Sequence, residues 1–281
     1  STVNGRRSVV VDLERTNPNN WNRERMAPMQ DISQTIIYEI NVHDFTISTT
    51  GSIEKRGKYL GMVEKGTTNN MGSSTGIDYL KDLGVTHVQI MPFFDFATID
   101  ETAEVPEEAD YNWGYDPQNY NVPEGSYSMD PYDPFKRIQE VKTMIQGLHD
   151  AGIRAIMDVV YNHVYQVEKQ SLHNTVPGYY FRYIANGQYA NGTGVGNETA
   201  WEHLMMRKYI LDSVKYWAEE YKIDGFRFDL MGIHDIETMN LVRELADEID
   251  PSMIIYGEGW DLDSPLPRGQ RATIDNGAAM P

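Results

Sequence analysis

The chain has 281 residues, 42 of them acidic and 24 basic, which gives a formal net charge of −18. A charge of this sign argues against nucleic acid or an anionic membrane surface as a partner. The absence of cysteine excludes disulfides and thiolate metal sites. In addition, no apolar run approaches the roughly 20 residues that a membrane-spanning helix needs.

The first part of the chain is polar and irregular. Residues 8–13 (SVVVDL) predict a short strand, and the polar segment after it predicts a linker or the end of a preceding domain. We therefore assign residues 1–34 to a lead-in. From residue 35 onward, strand-like and helix-like patterns alternate. Strands are predicted at 35–45, 85–96, 153–164, 223–230 and 252–260, and helices at 73–84, 134–150, 201–221 and 235–250.

Five strands with four helical segments between them predict an α/β fold with a parallel sheet and right-handed crossovers. Two architectures fit, an open doubly wound sheet and part of a (β/α)8 TIM barrel. No glycine-rich phosphate-binding motif follows a strand, which counts against a nucleotide-binding doubly wound sheet. The long loops at 97–133 and 165–200 favour a barrel with an elaborated top face. We predict that residues 35–281 form about strands 1 to 5 of the barrel, with the C-terminal strands absent.

The segment GFRFDLMG (225–232) places two charges in an apolar, strand-like run. In a strand, the two phenylalanines and Leu230 would share one face, and Arg227 and Asp229 would share the other. A buried charge needs a partner, a polar cavity or a reaction. The pair is therefore either an ion pair that only fixes the fold or part of an active site.

Polar side chains stand at the carboxyl ends of three predicted strands, where barrel enzymes place their catalytic groups. They are Asp158, Asn162 and His163 in DVVYNH, Arg227 with Asp229, and Glu258 with Trp260 in YGEGW. Because the last two of these strands are neighbours in a barrel, Asp229 and Glu258 are predicted to face one another. Two facing carboxylates suit glycoside cleavage, in which one attacks the anomeric carbon and the other protonates the leaving oxygen.

The surroundings of the two carboxylates predict different roles. Arg227 on the same face favours an ionised Asp229, as a nucleophile requires. The glycines and aromatic rings around Glu258 favour a carboxyl held protonated as the acid. For DVVYNH, hydrogen bonds to substrate hydroxyls explain the side chains better than a metal site, so no metal ligand is predicted. The acidic run at 98–110 is predicted to be a solvated loop.

Four motifs in this order resemble the conserved regions of the α-amylase superfamily of glycoside hydrolases. They are YNWGYDP (111–117), DVVYNH (158–163), GFRFDLMG (225–232) and YGEGW (256–260). YNWGYDP with the following YNVPEGSYS (120–128) is similar in particular to type I pullulanases, which cut α-1,6 links. The resemblance covers essentially the whole chain. It implies a TIM barrel, a retaining mechanism through a covalent glycosyl-enzyme, and an α-glucan substrate such as pullulan, branched starch or glycogen.

The resemblance also implies a role for each matching position. Asp229 would be the nucleophile and Glu258 the general acid/base. The substrate-binding residues would be Arg227, which also holds the nucleophile, His163, Tyr115, Asp116, Asp158, Trp113 and Trp260. No cofactor is required, and calcium, which some α-amylases bind at the position of Asn162, has no support in the pattern here.

One catalytic element of the superfamily has no counterpart in the chain. The third carboxylate belongs to a His-Asp pair on a later strand, which is expected beyond Pro281. The His-Asp pairs that the chain contains fall elsewhere, at His43-Asp44, His149-Asp150 and His234-Asp235. We therefore expect the C-terminal remainder of the barrel to be a partner of this chain. Two alternatives stay open, an enzyme acting on α-1,4 links and a catalytically inactive α-glucan-binding homologue.

Overall fold

A sheet of five parallel strands forms the frame of the molecule. The computed structural model describes residues 7–21, 25–103 and 111–280. The strands of this sheet are β1 (Ile37–Ile40), β2 (His87–Ile90), β5 (Arg154–Val159), β6 (Gly225–Phe228) and β7 (Ile254–Gly257), in the spatial order β1-β2-β5-β6-β7. A separate antiparallel pair consists of β3 (Phe94–Phe96) and β4 (Pro117–Pro123). The neighbouring strands of the sheet all pair in parallel, which confirms the predicted α/β arrangement.

Helices connect the strands of the sheet. They are α1 (Val42–Thr46), α2 (Gly76–Leu83), α3 (Pro134–Asp150), α4 (Ser171–Thr175), α5 (Leu204–Glu220) and α6 (Ile236–Ile249). Short 3-10 helices occur at Leu13–Thr16, Ile32–Gln34, Tyr59–Val63, Val167–Lys169, Met231–Ile233, Arg268–Gln270 and Ile274–Ala279. Among the described residues, no helix has both the length and the apolar character needed to cross a bilayer.

The longer helices begin and end at the residues that the sequence marks. The Asp133 side chain accepts the first free backbone N–H groups of α3, and a proline follows it at the first helical position. Asp235 caps α6 in the same way. Gly84 ends α2 in the left-handed conformation, with φ of 76°. The predicted helices at 73–84, 134–150, 201–221 and 235–250 are therefore confirmed within a few residues.

The sheet is curved, because side chains from distant strands meet on one of its faces. In the sheet order, β5 and β6 separate β2 from β7. Side chains stand roughly perpendicular to a flat sheet, and β2 and β7 would then lie about 14 Å apart. Nevertheless, the Tyr256 hydroxyl on β7 donates to Gln89 on β2, and Gln89 donates to Glu39 on β1. The strands therefore curl toward each other, as in the wall of a barrel.

Three of the predicted strands differ from the structure. The strand predicted at 35–45 ends at Ile40, and Val42–Thr46 forms the helix α1 instead. Residues 8–13 were predicted to be a strand, but no strand forms there and Val10 is 98% exposed. Among the residues that the structure describes, no strand lies beside these valines to pair with them. The predicted strand at 85–96 divides into β2 and β3, and β3 pairs with β4, which lies inside the predicted loop at 97–133. That loop therefore carries a two-stranded element of its own.

The lead-in packs against the outer helices through hydrogen bonds from two cations, the buried Lys142 and the partly buried Arg25. The Lys142 ammonium of α3 donates to the side chains of Thr16, at 2.9 Å, and Asn17, at 2.7 Å. Arg25 donates to the carbonyls of Ala218 and Ile223 at the end of α5, at 2.6 and 2.7 Å. These contacts join the lead-in to the helical layer. The division of the chain at residue 34 stays a prediction.

Candidate active site

Arg227 lies at the centre of a cluster of carboxylates. Its Nη1 is 2.9 Å from Oδ1 of Asp158 and 3.0 Å from Oδ1 of Asp229, while its Nη2 is 2.5 Å from Oε1 of Glu258. The three acids come from β5, from the turn after β6 and from the residue after β7. The structure thus brings together the polar residues that the sequence analysis placed at three strand ends.

Strand register explains how these residues meet. Asp158, Arg227 and Tyr256 are direct partners across three neighbouring strands, so their side chains share one face of the sheet. Phe226 and Phe228 point to the other face and are fully buried. The predicted separation of a charged face from an apolar face is therefore confirmed for the strand itself.

The alternation of faces ends at Leu230, which the sequence analysis placed on the strand. β6 stops at Phe228, and Leu230 has a positive φ of 43°, which is uncommon for a residue with a side chain. This conformation turns the Leu230 N–H toward Glu258, whose Oε2 accepts it at 3.1 Å. The turn therefore orients the second carboxylate as well as ending the strand.

Gly232 locks this turn against the segment that follows β7. Its N–H donates to the carbonyl oxygen of Glu258 at 3.1 Å. A Cβ at this position would lie 1.9 Å from the carbonyl oxygen of Trp260. Only glycine allows the two backbones to approach this closely.

We expect Gly232→Ala to lower stability and, if Glu258 has its predicted role, to lower glycoside cleavage as well. The added methyl group must push the Trp260 backbone away, a change of the kind that costs about 1–3 kcal/mol of unfolding free energy, and Glu258 would move with it. Denaturant unfolding and steady-state kinetics measure the two effects. Gly269→Ala is the matched control, because nothing lies within 4 Å of its added Cβ. Equal behaviour of the two variants would contradict the proposed close packing.

Asp229 is held by more than the arginine. Asn162 Nδ2 donates to its Oδ2 at 2.9 Å and to its backbone oxygen at 2.8 Å. Burial raises the pKa of Asp229 above its ordinary value, although the bonds from Asn162 and Arg227 oppose that rise. Arg227 thus acts in the predicted direction, toward the ionised form, but the loss of water has the larger effect on the pKa of Asp229. The predicted protonation of Glu258 stays a prediction.

Asp158 has a supporting position. It has no exposed surface, and its Oδ2 accepts a hydrogen bond from the Tyr115 hydroxyl at 2.8 Å as well as one from Arg227. Burial raises the pKa of Asp158 to about 7 against the opposing effect of Arg227. In this position Asp158 orients two residues, Tyr115 and Arg227, that reach the surface of the site. Its contact with substrate stays a prediction.

His163 is also oriented by the protein. It is 4% exposed, its Nδ1 is 2.6 Å from Asn162 Oδ1, and its Nε2 is 3.0 Å from the carbonyl oxygen of Tyr115. Burial lowers the pKa of His163 to about 4, against the opposing effect of the bond to the Tyr115 carbonyl. The sequence analysis gave Asn162 no structural role, because its bond to Asp229 joins residues 67 positions apart.

Aromatic side chains from two segments provide exposed surface. Trp113 is 55% exposed and Trp260 63% exposed. Trp113 donates its ring N–H to the Tyr111 hydroxyl, which in turn donates to Asp44. Asp116, predicted to lie near substrate, accepts from the backbone N–H of Thr98 at 2.9 Å and fixes the loop. Flat, exposed rings on braced loops can bind sugar faces.

Three further carboxylates converge under β3 and β4. Asp95, Glu101 and Glu124 are buried, with one oxygen of each within 4.8 Å of the others. Arg137 donates to both oxygens of Glu101 at 2.8 Å. Such oxygens are the ligand type that hard cations use, but here Arg137 already supplies positive charge. The prediction of a solvated loop at 98–110 is wrong for Glu101, and the part of that run beyond residue 103 lies outside the described residues.

This cluster makes stability depend on pH. Burial raises the pKa of Asp95 to about 7 and that of Glu124 to about 8, and neighbouring carboxylates add to both shifts. The unfolded chain therefore loses these protons at lower pH than the folded protein does. The free energy of unfolding is expected to fall as the pH rises from about 4 to about 8.

We expect Asp95→Asn to raise the unfolding temperature at pH 8 more than at pH 4. The amide of the Asp95→Asn variant can still donate a hydrogen bond toward Glu101, as the protonated Asp95 carboxyl can. The substitution removes one of the groups that become charged as the pH rises. Thermal unfolding at the two pH values measures the difference, which should amount to several degrees at pH 8. Asp212→Asn, at an exposed position on α5, is the control. An equal change at both pH values would contradict this origin of the pH dependence.

Comparisons with known proteins show to which family the chain is related. Residues 63–188 match the model "Alpha amylase, catalytic domain". The pullulanase of Bacillus subtilis strain 168 is 47% identical over 100% of the chain, which covers 38% of that protein. The chloroplastic pullulanase 1 of Arabidopsis thaliana is 33% identical over 93% of the chain and 31% of its own length. The chain thus spans less than half of the length of these relatives.

Solved structures give the same result. The pullulanase of Paenibacillus barengoltzii in complex with maltohexaose and α-cyclodextrin is 48% identical, with a TM-score of 0.96 over 100% of this chain and 43% of that one. The pullulanase of Anoxybacillus sp. LM18-11 with maltotriose is 52% identical, with a TM-score of 0.94 over 100% of this chain and 39% of that one. The family match and these structures imply the TIM-barrel fold. The chain therefore belongs to the α-amylase superfamily, and over its whole length it is similar to pullulanases.

Proposed function

We propose that the protein is a retaining glycoside hydrolase that cleaves α-1,6-glucosidic links in pullulan and branched α-glucans. The observation that carries the proposal is the pair Asp229 and Glu258, held at neighbouring strand ends by the single guanidinium of Arg227. Two carboxylates on one arginine provide a nucleophile and a proton donor at one site. The similarity to pullulanases over the whole chain supports the choice of α-1,6 links.

The two carboxylates act in sequence. Asp229 attacks the anomeric carbon while Glu258 gives its proton to the leaving oxygen, so a glycosyl-enzyme forms and the glycosidic bond breaks. Glu258 then takes a proton from water, whose oxygen attacks the same carbon and releases Asp229. The hydrogen bonds from Asn162 and Arg227 support the ionised form of Asp229 that this chemistry needs. The steps use side chains alone, so no cofactor is part of the proposal.

The substrate-binding surface combines a polar floor with aromatic walls. We assign Tyr115, His163 and Arg227 to the sugar at the point of cleavage, with Asp116 beside them. Trp113 and Trp260 are assigned to neighbouring sugars because their rings are exposed. The complexes of similar pullulanases with maltotriose and maltohexaose support an α-glucan as the ligand.

We further propose that the five-stranded sheet is strands 1 to 5 of the barrel, formed by residues 35–281 after a lead-in of residues 1–34. Within the described residues, β1 and β7 each pair with a strand on one side only. At the start of β1, Ile36 is 55% exposed and Ile37 is 39% exposed. Open strand edges with apolar neighbours need a cover. The C-terminal remainder of the barrel would provide it, together with the third carboxylate.

Product analysis with the full-length protein tests the function. Incubation with pullulan should release maltotriose, and amylose should remain intact. Cleavage of amylose instead would move the enzyme to α-1,4 links while keeping the roles of Asp229 and Glu258. If neither polymer yields a product but both still bind, the protein is an α-glucan-binding homologue and the proposed reaction is wrong.

A further inference from the structure

A second polar layer lies within the curved face of the sheet, beside the carboxylate cluster. Tyr256, Gln89 and Glu39 form a chain of hydrogen bonds that crosses from β7 to β2 and β1. Gln89 is 6% exposed, and its side-chain oxygen accepts from the tyrosine while its nitrogen donates to the glutamate. A buried amide with both ends bonded fixes the position of its partners, because a lost bond leaves a polar group without water.

This chain of hydrogen bonds acts on the strand that carries Glu258. Tyr256 precedes Glu258 by two residues, so both side chains project from the same face of that segment. Beyond Tyr256, Glu258 is held through Arg227 and the Leu230 N–H. The Tyr256 hydroxyl therefore holds the strand from across the curved face, and the arginine and the turn hold the carboxylate itself.

The tyrosine remains a hydrogen-bond donor in the working pH range. Burial raises the pKa of Tyr256 to about 12, with Asp158 adding to the rise. A hydroxyl that keeps its proton can orient Gln89 but cannot act as an acid or base at neutral pH. Its contribution is therefore one of geometry.

We propose that Tyr256 is a positioning residue for Glu258. The hydrogen bond from Tyr256 to Gln89 holds the strand so that Glu258 is oriented to protonate the leaving oxygen. This inference rests on the proposed function. Misplacing a catalytic group by about 1 Å costs about 100-fold in rate. Loss of the Tyr256 hydroxyl should therefore lower the rate for a substrate whose leaving group must be protonated. It should not lower the rate for a substrate whose leaving group needs no proton.

The test compares two substrates of the full-length protein and its Tyr256→Phe variant. Pullulan has a sugar leaving group that must be protonated. In α-maltotriosyl fluoride, the C–F bond breaks as the Asp229–carbon bond forms, and fluoride leaves with its electron pair without a proton. We expect kcat/KM of Tyr256→Phe to fall about 10- to 100-fold for pullulan and to stay within about 2-fold for the fluoride, since only the first reaction uses the acid.

Further variants separate positioning from general damage. Gln89→Met breaks the same bond from the other side, so it should show the same selective loss, and the double variant should lose no more than either single variant. Tyr216→Phe is the control. It removes a tyrosine hydroxyl on α5 that bonds only to Tyr221 among the described contacts. It should leave the ratio of kcat/KM for pullulan to kcat/KM for the fluoride unchanged. If Tyr256→Phe does not fold, Gln89→Met alone decides the question.

Each outcome is decisive. Equal losses on both substrates, or no loss on pullulan, would overturn the positioning role while leaving the proposed function intact. A wild-type protein that cleaves neither substrate would overturn the proposed function and this role with it.

Discussion

Asp229→Asn is expected to abolish turnover of pullulan, lowering kcat/KM on the order of 10⁵-fold or more, as removal of a catalytic nucleophile does elsewhere. The amide cannot attack the anomeric carbon, so no glycosyl-enzyme forms. The change is nearly isosteric, and the Asn oxygen can still accept from Arg227 Nη1, which lies 3.0 Å from Oδ1 in the wild type. Substrate binding should therefore persist, and titration with maltotriose measures it separately from steady-state kinetics.

The same substitution creates one local conflict. Asn162 Nδ2 donates to Oδ2 of Asp229, and an amide nitrogen at that position would face another donor. A modest loss of stability is therefore expected together with the loss of turnover. Asp212→Asn on the exposed face of α5 is the matched control and should change neither. Appreciable cleavage by Asp229→Asn would remove Asp229 from the role of nucleophile.

Much of the fold could be predicted because its signals are local. α3 spans 134–150, as predicted, since an aspartate cap, a following proline and a regular apolar spacing all lie within the segment itself. The charged face of β6 could be predicted for the same reason, because a strand alternates whatever its neighbours are. Three strand ends with polar residues then suffice to locate the candidate site.

The parts that could not be predicted depend on partners distant in sequence. The apolar run at 85–96 is continuous because β2 and β3 are both buried, so its pattern does not show that the chain changes sheets between them. Glu101 lies in an acidic run that resembles a solvated loop, yet Arg137 pairs with it from α3. Neither the partner nor the burial is visible from the local sequence.

The pKa of Asp229 also depends on residues that are distant in sequence. The sequence places Arg227 two residues from Asp229 and so predicts a carboxylate that ionises easily. Folding adds the removal of water, which raises the pKa of Asp229, and the neighbouring Glu258, which adds to that rise. The charges along the strand therefore show the direction in which Arg227 acts on the pKa, but not the opposing effect of burial, which is a property of the whole fold.

Arg227→Leu is expected to remove activity and to destabilise the protein. The change leaves Asp158, which has no exposed surface, without its cation and releases Asp229 and Glu258 from their common support. Breaking a buried ion pair from one side typically costs roughly 3–5 kcal/mol. Denaturant unfolding should show a loss of this size at pH 8, and kinetics should show no measurable cleavage of pullulan.

The loss of stability should depend on pH. The pKa of Asp158 is already raised to about 7 by burial, and removal of the arginine takes away the main influence that lowers it. Since this folded-state pKa lies above the ordinary value of 3.8, stability falls as the pH rises from about 4 through the folded pKa. Without Arg227 the fall extends to higher pH, so the deficit of the variant should be smaller at pH 5 than at pH 8.

A double variant separates the structural effect of Arg227 from its catalytic effect. Arg227→Leu with Asp158→Asn contains no unpaired charge at position 158, so it should regain part of the stability lost at pH 8. It should regain no activity, because Asp229 and Glu258 still lack the guanidinium that holds them both. Equal deficits for the single variant at pH 5 and pH 8 would show that the buried charge of Asp158 is not what Arg227 neutralises. Recovery of cleavage in the double variant would show instead that the two carboxylates proposed as catalytic do not need their shared arginine.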